Sequence, residues 1–375
     1  MNSMATQTYI DKNVVEATRE RISWVFDEFE NICVSISGGK DSTVMAYMAL
    51  QEAHKRNRRI GIFFLDEEVV YQSTRDQVRY LMDLYPENTI KLWYQIEFNL
   101  TNATSSNETY LKCWEAGKHK LWMRPREPDS IKFPNWDTDT QTIRNKDIGL
   151  DFYATLDNFQ RSHPNTAFLI GLRALESPNR WRAVTKNPGH KGCYWATKRE
   201  YGSFNFYPLY DWMHWDIWKF IYDNNVRYSK IYDWQWKKGF AVSDMRVSSL
   251  IHEKSFKSLV ELPEFEPKTY DKLIKRVEGI QMGNLYGKDD KMLRCRKLPK
   301  NYDSWQDYRD FLLVTMENQE HKGIFERRFA KHLNNEYVAR QQCRQLILND
   351  YENNLPVINK ADPREEKIRY WMEVL

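Results

Sequence analysis

Residues 31–50 read "NICVSISGGKDSTVMAYMAL", with two glycines, a lysine, an aspartate and a serine set between an apolar run and a helical pattern. The run Ile32–Ile36 is rich in β-branched residues and too short for a helix, so it predicts a buried parallel strand. From Asp41 the apolar positions Val44, Met45, Met48 and Ala49 follow the period of an amphipathic helix. A glycine-rich turn between the two makes a site for anions. Glycines let the backbone approach closely and reach positive φ, and the N–H groups at a helix start point outward. The helix dipole adds roughly half a positive charge there. Ser37, Gly38, Gly39 and Ser42 would supply N–H or hydroxyl donors, and Lys40 a mobile cation for phosphate oxygens. Asp41 suits the helix N-terminus and could orient a magnesium ion or a water. The loop is not a Walker A loop, because Lys40 is followed by Asp41 where that loop needs Ser or Thr. The plain alternative is an ordinary tight turn with Asp or Ser as its cap.

Working outward, residues 13–29 have helical spacing (Val14, Ala17, Ile22, Val25, Phe26, Phe29) and lead into the first strand. "RIGIFFLDEE" predicts a second buried strand at Ile60–Leu65, "VVYQSTRDQVRYLMDLY" a helix, and "TIKLWYQIEF" a third strand. Strands alternating with helices at this spacing imply right-handed crossovers and a parallel sheet. Residues 98–147 break the alternation and predict an insertion folded over the sheet edge. "IGLDFYATLDNFQRSH" then reads as a helix, "TAFLIGLRALESPNRWR" as a strand followed by a polar loop, and "SFNFYPLYDWMHWDIWKFIYDNN" as a strand entering a tryptophan-rich helix. From about residue 243 the chain turns to charged helices, among them "EPKTYDKLIKRVEGI", "SWQDYRDFLLVTMENQ" and "GIFERRFAKHLNNEYVARQQCRQLIL". Two domains are therefore expected, an α/β domain over 1–242 and a helical one over 243–375.

Composition narrows the function classes. At 375 residues with 41% hydrophobic content the chain has ample material for a core, so it is not a disordered protein. A net charge of +4 is too small for charge alone to argue for nucleic acid, so any basic surface is local. Cys33, Cys113, Cys193, Cys295 and Cys343 are scattered and never form a CxxC, which argues against a disulfide framework, a zinc site and a cysteine-ligated iron–sulfur cluster. The polar start "MNSMATQTYIDKN" and the lack of a long apolar run predict a cytoplasmic protein with no membrane span.

"SGGKDS" resembles the PP-loop of the adenine nucleotide α-hydrolase superfamily, which includes ATP pyrophosphatases, the small subunit of sulfate adenylyltransferase and phosphoadenosine phosphosulfate (PAPS) reductases. Three further segments are similar to the last branch. "FFLDEEVVYQST" (63–74) stands where these families carry an acid-containing loop. "GLRALESPNR" (171–180) resembles their Gly-x-Arg-x-x-x-Ser segment, which closes over nucleotide phosphates, and "YPLYDWMHWDIWKFI" (207–221) their proline-led strand and helix start. The resemblance implies a Rossmann-like parallel sheet with helices on both faces, plus a mostly helical C-terminal domain. The insertion and the C-terminal helices look like a PAPS reductase-like subfamily with a C-terminal domain of unknown function. That subfamily includes the immunoglobulin-binding regulator A proteins, described as co-activators of prophage genes and encoded beside a ParB-like partner. A ParB-like protein, and through it indirect DNA association, is the partner so implied.

Other residues carry two readings each. Asp66, Glu67 and Glu68 lie at a carboxyl strand end beside the expected crevice, where Asp66 and Glu68 could meet ribose, base or metal. A solvated acidic turn is the bland alternative. Arg173 and Arg180 could clamp phosphate or sulfate oxygens beside Gly171 and Ser177, or be surface charge. Glu176 could pair with either arginine. Trp212, Trp215 and Trp218 recur three apart and predict one core face. In the insertion, Lys112, Lys118, Lys120, Arg124 and Arg126 with the nearby tryptophans either contact nucleic acid or belong to an aromatic-packed lid. Basic groups at 294–300 and 327–344 read most simply as solvated faces.

The chemistry implied by the resemblance is nucleotide chemistry. Assimilatory PAPS reductases use a cysteine in a C-terminal tail, whereas no cysteine follows Cys343 here, so thiol-dependent reduction is not expected. An intact "SGGKDS" goes instead with ATP, magnesium and cleavage between the α and β phosphates, with Lys40, Asp41, Arg173 and Arg180 as the catalytic set. Two alternatives stand beside it. One is a PAPS or adenylyl sulfate-binding sulfotransferase. The other is a nucleotide-sensing regulator that works with a ParB-like partner.

Overall fold

The computed structural model describes residues 10–105, 107–134, 136, 149–185, 189–242, 244–280, 298–316, 318–353 and 355–361. These fall into two compact units, one within Met1–Phe98, Cys113–His119 and Arg124–Val247, the other within Asn99–Lys112, Lys120–Met123 and Ser248–Leu375.

The first unit is built on a mostly parallel sheet. Its strands are β1 (Asn31–Ser35), β2 (Ile60–Leu65), β3 (Thr89–Tyr94), β6 (Thr166–Ile170), β7 (Ala196–Lys198) and β8 (Phe204–Phe206). The order is β3-β2-β1-β6-β8-β7, and only β7 runs antiparallel to its neighbour. β1 is fixed in register on both sides, Val34 facing Ile62 in β2 and Leu169 in β6. Because consecutive side chains alternate across a strand, Val34, Ile62, Phe64 and Leu169 enter one core, which they share with Val44, Met45, Met48 and Ala49 of α2 (Lys40–Lys55). Helices α1 (Val14–Glu28), α3 (Gln72–Asp83) and α6 (His214–Asp223) complete that layer. On the opposite face Phe63 stacks on Phe159 of α4 (Phe152–Arg161), with centroids 3.8 Å apart. The fold is a Rossmann-like sheet flanked by helices on both faces, followed by a helical region.

The edge of β3 is extended by the insertion: Ile131 accepts from Gln95 N at 3.0 Å and donates to Trp93 O at 2.7 Å. Another part of the insertion, with β4 (Phe98–Thr101) and β5 (Tyr110–Cys113) paired in a small sheet, is tied into the second unit. Asn349 Nδ2 donates to Asn102 O and Ser105 O, and Arg276 donates to Lys112 O at 2.7 Å.

The second unit packs α8 (Phe256–Phe265), α9 (Pro267–Arg276), α10 (Trp305–Val314), α11 (Gln319–Phe329) and α12 (Glu336–Ile347). The sequence predicts one long helix over 323–348; instead α11 stops at Phe329 and α12 begins after Asn335, whose side chain accepts from Val338 N at 2.9 Å. An asparagine at such an N-cap is worth about 1 kcal/mol over an alanine in the same position. Arg328, expected on a solvated face, turns inward over Phe325 and donates to Asp350 O at 2.6 Å. Arg294, Arg296 and Lys297 lie outside the described residues. Among the described residues no helix is long and apolar enough to cross a membrane.

Candidate functional site

The strand order reverses at β1: the chain leaves it toward β2 and β3 on one side, while β6 and β8 lie on the other. In an open α/β sheet the crevice at the carboxyl ends of the strands flanking such a reversal is where ligands bind. Residues 36–39 leave β1 there and turn into α2. Gly38 has φ +73°, the left-handed region, and a Cβ on it would stand 2.8 Å from Thr74 Cγ2 and 3.1 Å from Thr74 O. Only glycine meets both demands. The turn is tied by hydroxyls: Ser42 Oγ accepts from Ser37 N at 3.1 Å and donates to Gly39 O at 3.0 Å. Gly39 is the N-cap of α2 and offers no side chain to its first turn. Among the described residues the N–H groups of Gly38, Asp41 and Ser42 meet no acceptor, and Ser37 is exposed beside them. Three free N–H donors at the positive end of a 16-residue helix form an anion-binding corner.

Cations line this corner. Lys40 Nζ lies 2.9 Å from Asp41 Oδ2, and Arg173 Nε donates to Asp41 Oδ1. Glu176 Oε2 then bridges Arg173 Nη2 (3.5 Å) and Arg180 Nη1 (2.5 Å). Burial alone would raise the Asp41 carboxyl, but Lys40 and Arg173 outweigh it and hold the group below the usual aspartate range. Asp41 is thus an ionised brace that fixes two cations. Arg173 arrives because Gly171, at the end of β6, lets the chain touch α2: a Cβ on Gly171 would be 2.8 Å from Asp41 O and 2.9 Å from Ser42 Cα. The space that Gly171 leaves is filled by protein backbone, so its part is close packing.

Several expectations need correcting. Asp66, read as a ribose or metal contact, is fully buried. Its carboxylate accepts from Trp93 Nε1 (2.9 Å), Gln95 Nε2 (2.8 Å), Arg124 Nη2 (2.6 and 2.7 Å) and Glu68 N (3.0 Å). Glu68, also buried and at φ +61°, accepts from Trp114 N at 2.6 Å. Both acids are engaged in a buried network, and Arg124, for which the sequence leaves open both a nucleic-acid contact and a place in an aromatic-packed lid, is their counter-ion and lies over Trp114. Arg126 likewise points inward, donating to Trp114 O at 3.0 Å. Ser177 accepts from Arg180 N at 3.3 Å and so caps α5 (Pro178–Thr185), a helix where a polar loop is expected. Both Asp41 oxygens are engaged by cations, and among the described residues no group of three or more His, Cys, Asp or Glu side chains could hold a metal ion. Of the three tryptophans, Trp212 is buried and Trp218 half-buried, but Trp215, in the first turn of α6, is 59% exposed; Trp212 precedes the helix, so the three do not form one core face.

Comparison with known proteins matches residues 31–259 to the phosphoadenosine phosphosulfate reductase domain. The chain belongs to that family. Residues 239–341 match a domain of unknown function, DUF3440. The uncharacterized protein YbdN of Escherichia coli (strain K12) is 30% identical over 313 residues, which span 81% of this chain and 75% of that protein. Among solved structures, the PAPS reductase of Candida auris in its phosphate complex is similar with a TM-score of 0.35 and 16% identity, over 61% of this chain and 94% of that one. The FMN adenylyltransferase of Candida glabrata with FAD and inorganic pyrophosphate is similar with a TM-score of 0.34 and 15% identity, over 58% of each chain.

Within this PAPS reductase domain two contributions escape a reading of the sequence. The phenol of Tyr232, on α7 (Ile231–Lys237), accepts from Lys40 N at 3.0 Å, and its ring lies 5.7 Å from Lys40 Nζ. It is remote in sequence and sits in no periodic pattern. The family-like segment 207–221 turns out to anchor α1: Asp211 takes a bidentate pair of bonds from Arg21 (2.8 and 2.7 Å), and Trp212 Nε1 donates to Thr18 Oγ1 at 2.8 Å. Asp211 therefore fixes α1 against the segment that follows β8.

Proposed function

We propose that this chain is a nucleotide-dependent enzyme that holds an adenine nucleotide by its phosphates at residues 37–42 and cleaves ATP between the α and β phosphates, passing the adenylyl group to sulfate or another acceptor. The observation that carries this reading is the convergence of three unpaired N–H donors, Lys40 and Arg173 on one corner. The N–H groups and Lys40 hold the pyrophosphate end. An oxygen of the acceptor attacks the α-phosphorus in line and forms the new P–O bond. The bond from the α-phosphorus to the bridging oxygen breaks, and pyrophosphate leaves with the electron pair. Arg173 stabilises the charge that builds on the α-phosphoryl oxygens, Arg180 extends the cation row through Glu176, and Asp41 keeps Lys40 and Arg173 in place. ATP enters as its magnesium complex, with the metal carried by the substrate.

A second reading keeps the corner and changes the ligand. The alternating row Arg173–Glu176–Arg180, together with the family match, supports PAPS or adenylyl sulfate, with the sulfo group moved to an acceptor. In either case residues 1–242 carry the chemistry and 243–375 the contacts to a protein partner, of which a ParB-like DNA-binding protein is the proposed kind. The test is direct. Pyrophosphate release from ATP, lost in Lys40→Ala, supports adenylyl transfer; binding of PAPS with no binding of ATP supports the second reading.

A further inference from the structure

We infer that Tyr232 contacts the ligand of this corner, giving its hydroxyl hydrogen to an oxygen of the bound phosphate chain. The inference rests on the nucleotide reading above. Tyr232 is 3% exposed, and its oxygen stands 3.0 Å from Lys40 N and 3.4 Å from where a Cβ on Gly39 would lie, which puts it against the turn that forms the anion corner. Its ring is held from behind by Trp218, edge to face at 5.3 Å and 87°. The oxygen accepts the Lys40 N–H, but among the described residues the hydroxyl hydrogen has no acceptor. A buried O–H left without an acceptor costs free energy, and such groups call for an occupant that uses them. Burial, reinforced by the Asp41 carboxylate, pushes the phenol up, so it keeps this hydrogen at every working pH.

A competing role is a plug that merely blocks the Lys40 N–H. The two roles give opposite signs. If Tyr232 is a plug, Tyr232→Phe frees that N–H for an anion and tightens binding. If Tyr232 donates, the same substitution removes one hydrogen bond to a charged oxygen and weakens binding about tenfold.

The experiment is calorimetry on the full chain with ATP, inorganic pyrophosphate and, as a phosphate-free control, adenosine. Tyr232→Phe is expected to lose about tenfold for ATP and pyrophosphate with adenosine unchanged. Unchanged or tighter pyrophosphate binding, or an equal loss for adenosine, overturns the inference. Replacing Tyr232 by 3-fluorotyrosine, a stronger donor of nearly the same shape, is expected to tighten pyrophosphate binding, and it decides the matter if the phenylalanine variant does not fold. Weakening by the fluorinated side chain also overturns it. If Lys40→Ala abolishes ATP binding while Tyr232→Phe leaves it intact, only the role of Tyr232 falls. If neither variant changes it, the nucleotide reading falls as well.

Discussion

Arg173 and Asp41 are joined by a salt bridge that crosses from the end of β6 to the first turn of α2. It closes the crevice at the point where the strand order reverses, and it places a guanidinium where the helix dipole already favours an anion. The residues are 132 apart in sequence, and the bond forms only because Gly171 brings the two backbones into contact. Both side chains are largely buried. Removing Arg173 therefore leaves Asp41 with Lys40 alone. We expect Arg173→Ala to cost about 3 kcal/mol in denaturant unfolding and about a hundredfold in ATP or PAPS affinity. Wild-type values for both would remove Arg173 from the site.

Lys40 is as buried as Arg173 and braces the same carboxylate. Lys40→Ala is therefore expected to lower stability by a similar amount, about 3 kcal/mol, and to abolish ATP and PAPS binding by calorimetry. Affinities equal to those of the wild type would dismiss the corner as a phosphate site.

Asp66 separates structure from ligand contact. Asp66→Ala strips the buried Arg124 of its partner, for a loss of about 3 kcal/mol. The fraction that remains folded should bind ATP as the wild type does. A selective loss of affinity at unchanged stability would return Asp66 to the nucleotide.

Gly171→Ala drives a Cβ into the backbone of Asp41 and Ser42, so the end of β6 must move. A cost of about 2 kcal/mol is expected from overpacking, together with weaker nucleotide binding because Arg173 moves with it. An alanine variant with full stability would show that the contact is slack.

Acid stability has a definite sign. Asp129 is held at about 2, first by the two hydrogen bonds from Arg79 and in opposition to partial burial, while Asp41 is lowered by Lys40 and Arg173 against burial. Both carboxyls are depressed in the folded state, so their stabilisation is present above the unfolded value of 3.8 and is lost as pH falls through the folded values. Asp129→Asn should flatten the fall in stability between about pH 4 and pH 2. A wild-type acid profile in that variant would deny the Arg79 pairing.

How far the chain could be read depended on whether the signal was local. β1 and α2 were legible because a β-branched run gives way to helical spacing across a pair of glycines within twenty residues. α5 was local too, since Ser177 followed by Pro178 is an N-cap and first-turn proline, but its polar composition hid it as a loop. Asp66 was not legible, because Trp93, Gln95 and Arg124 reach it from separate segments. The same holds for Tyr232, whose place at Lys40 is set by the packing of α7 and by Trp218, and by no spacing near the loop.

The most direct test is a crystal structure of the full chain soaked separately with ATP and magnesium and with PAPS. The account predicts phosphate or sulfate oxygens within hydrogen-bond reach of the Gly38, Asp41 and Ser42 N–H groups, with Lys40 and Arg173 turned toward them. A corner that stays empty at millimolar ligand, or an adenosine compound bound elsewhere, would contradict it.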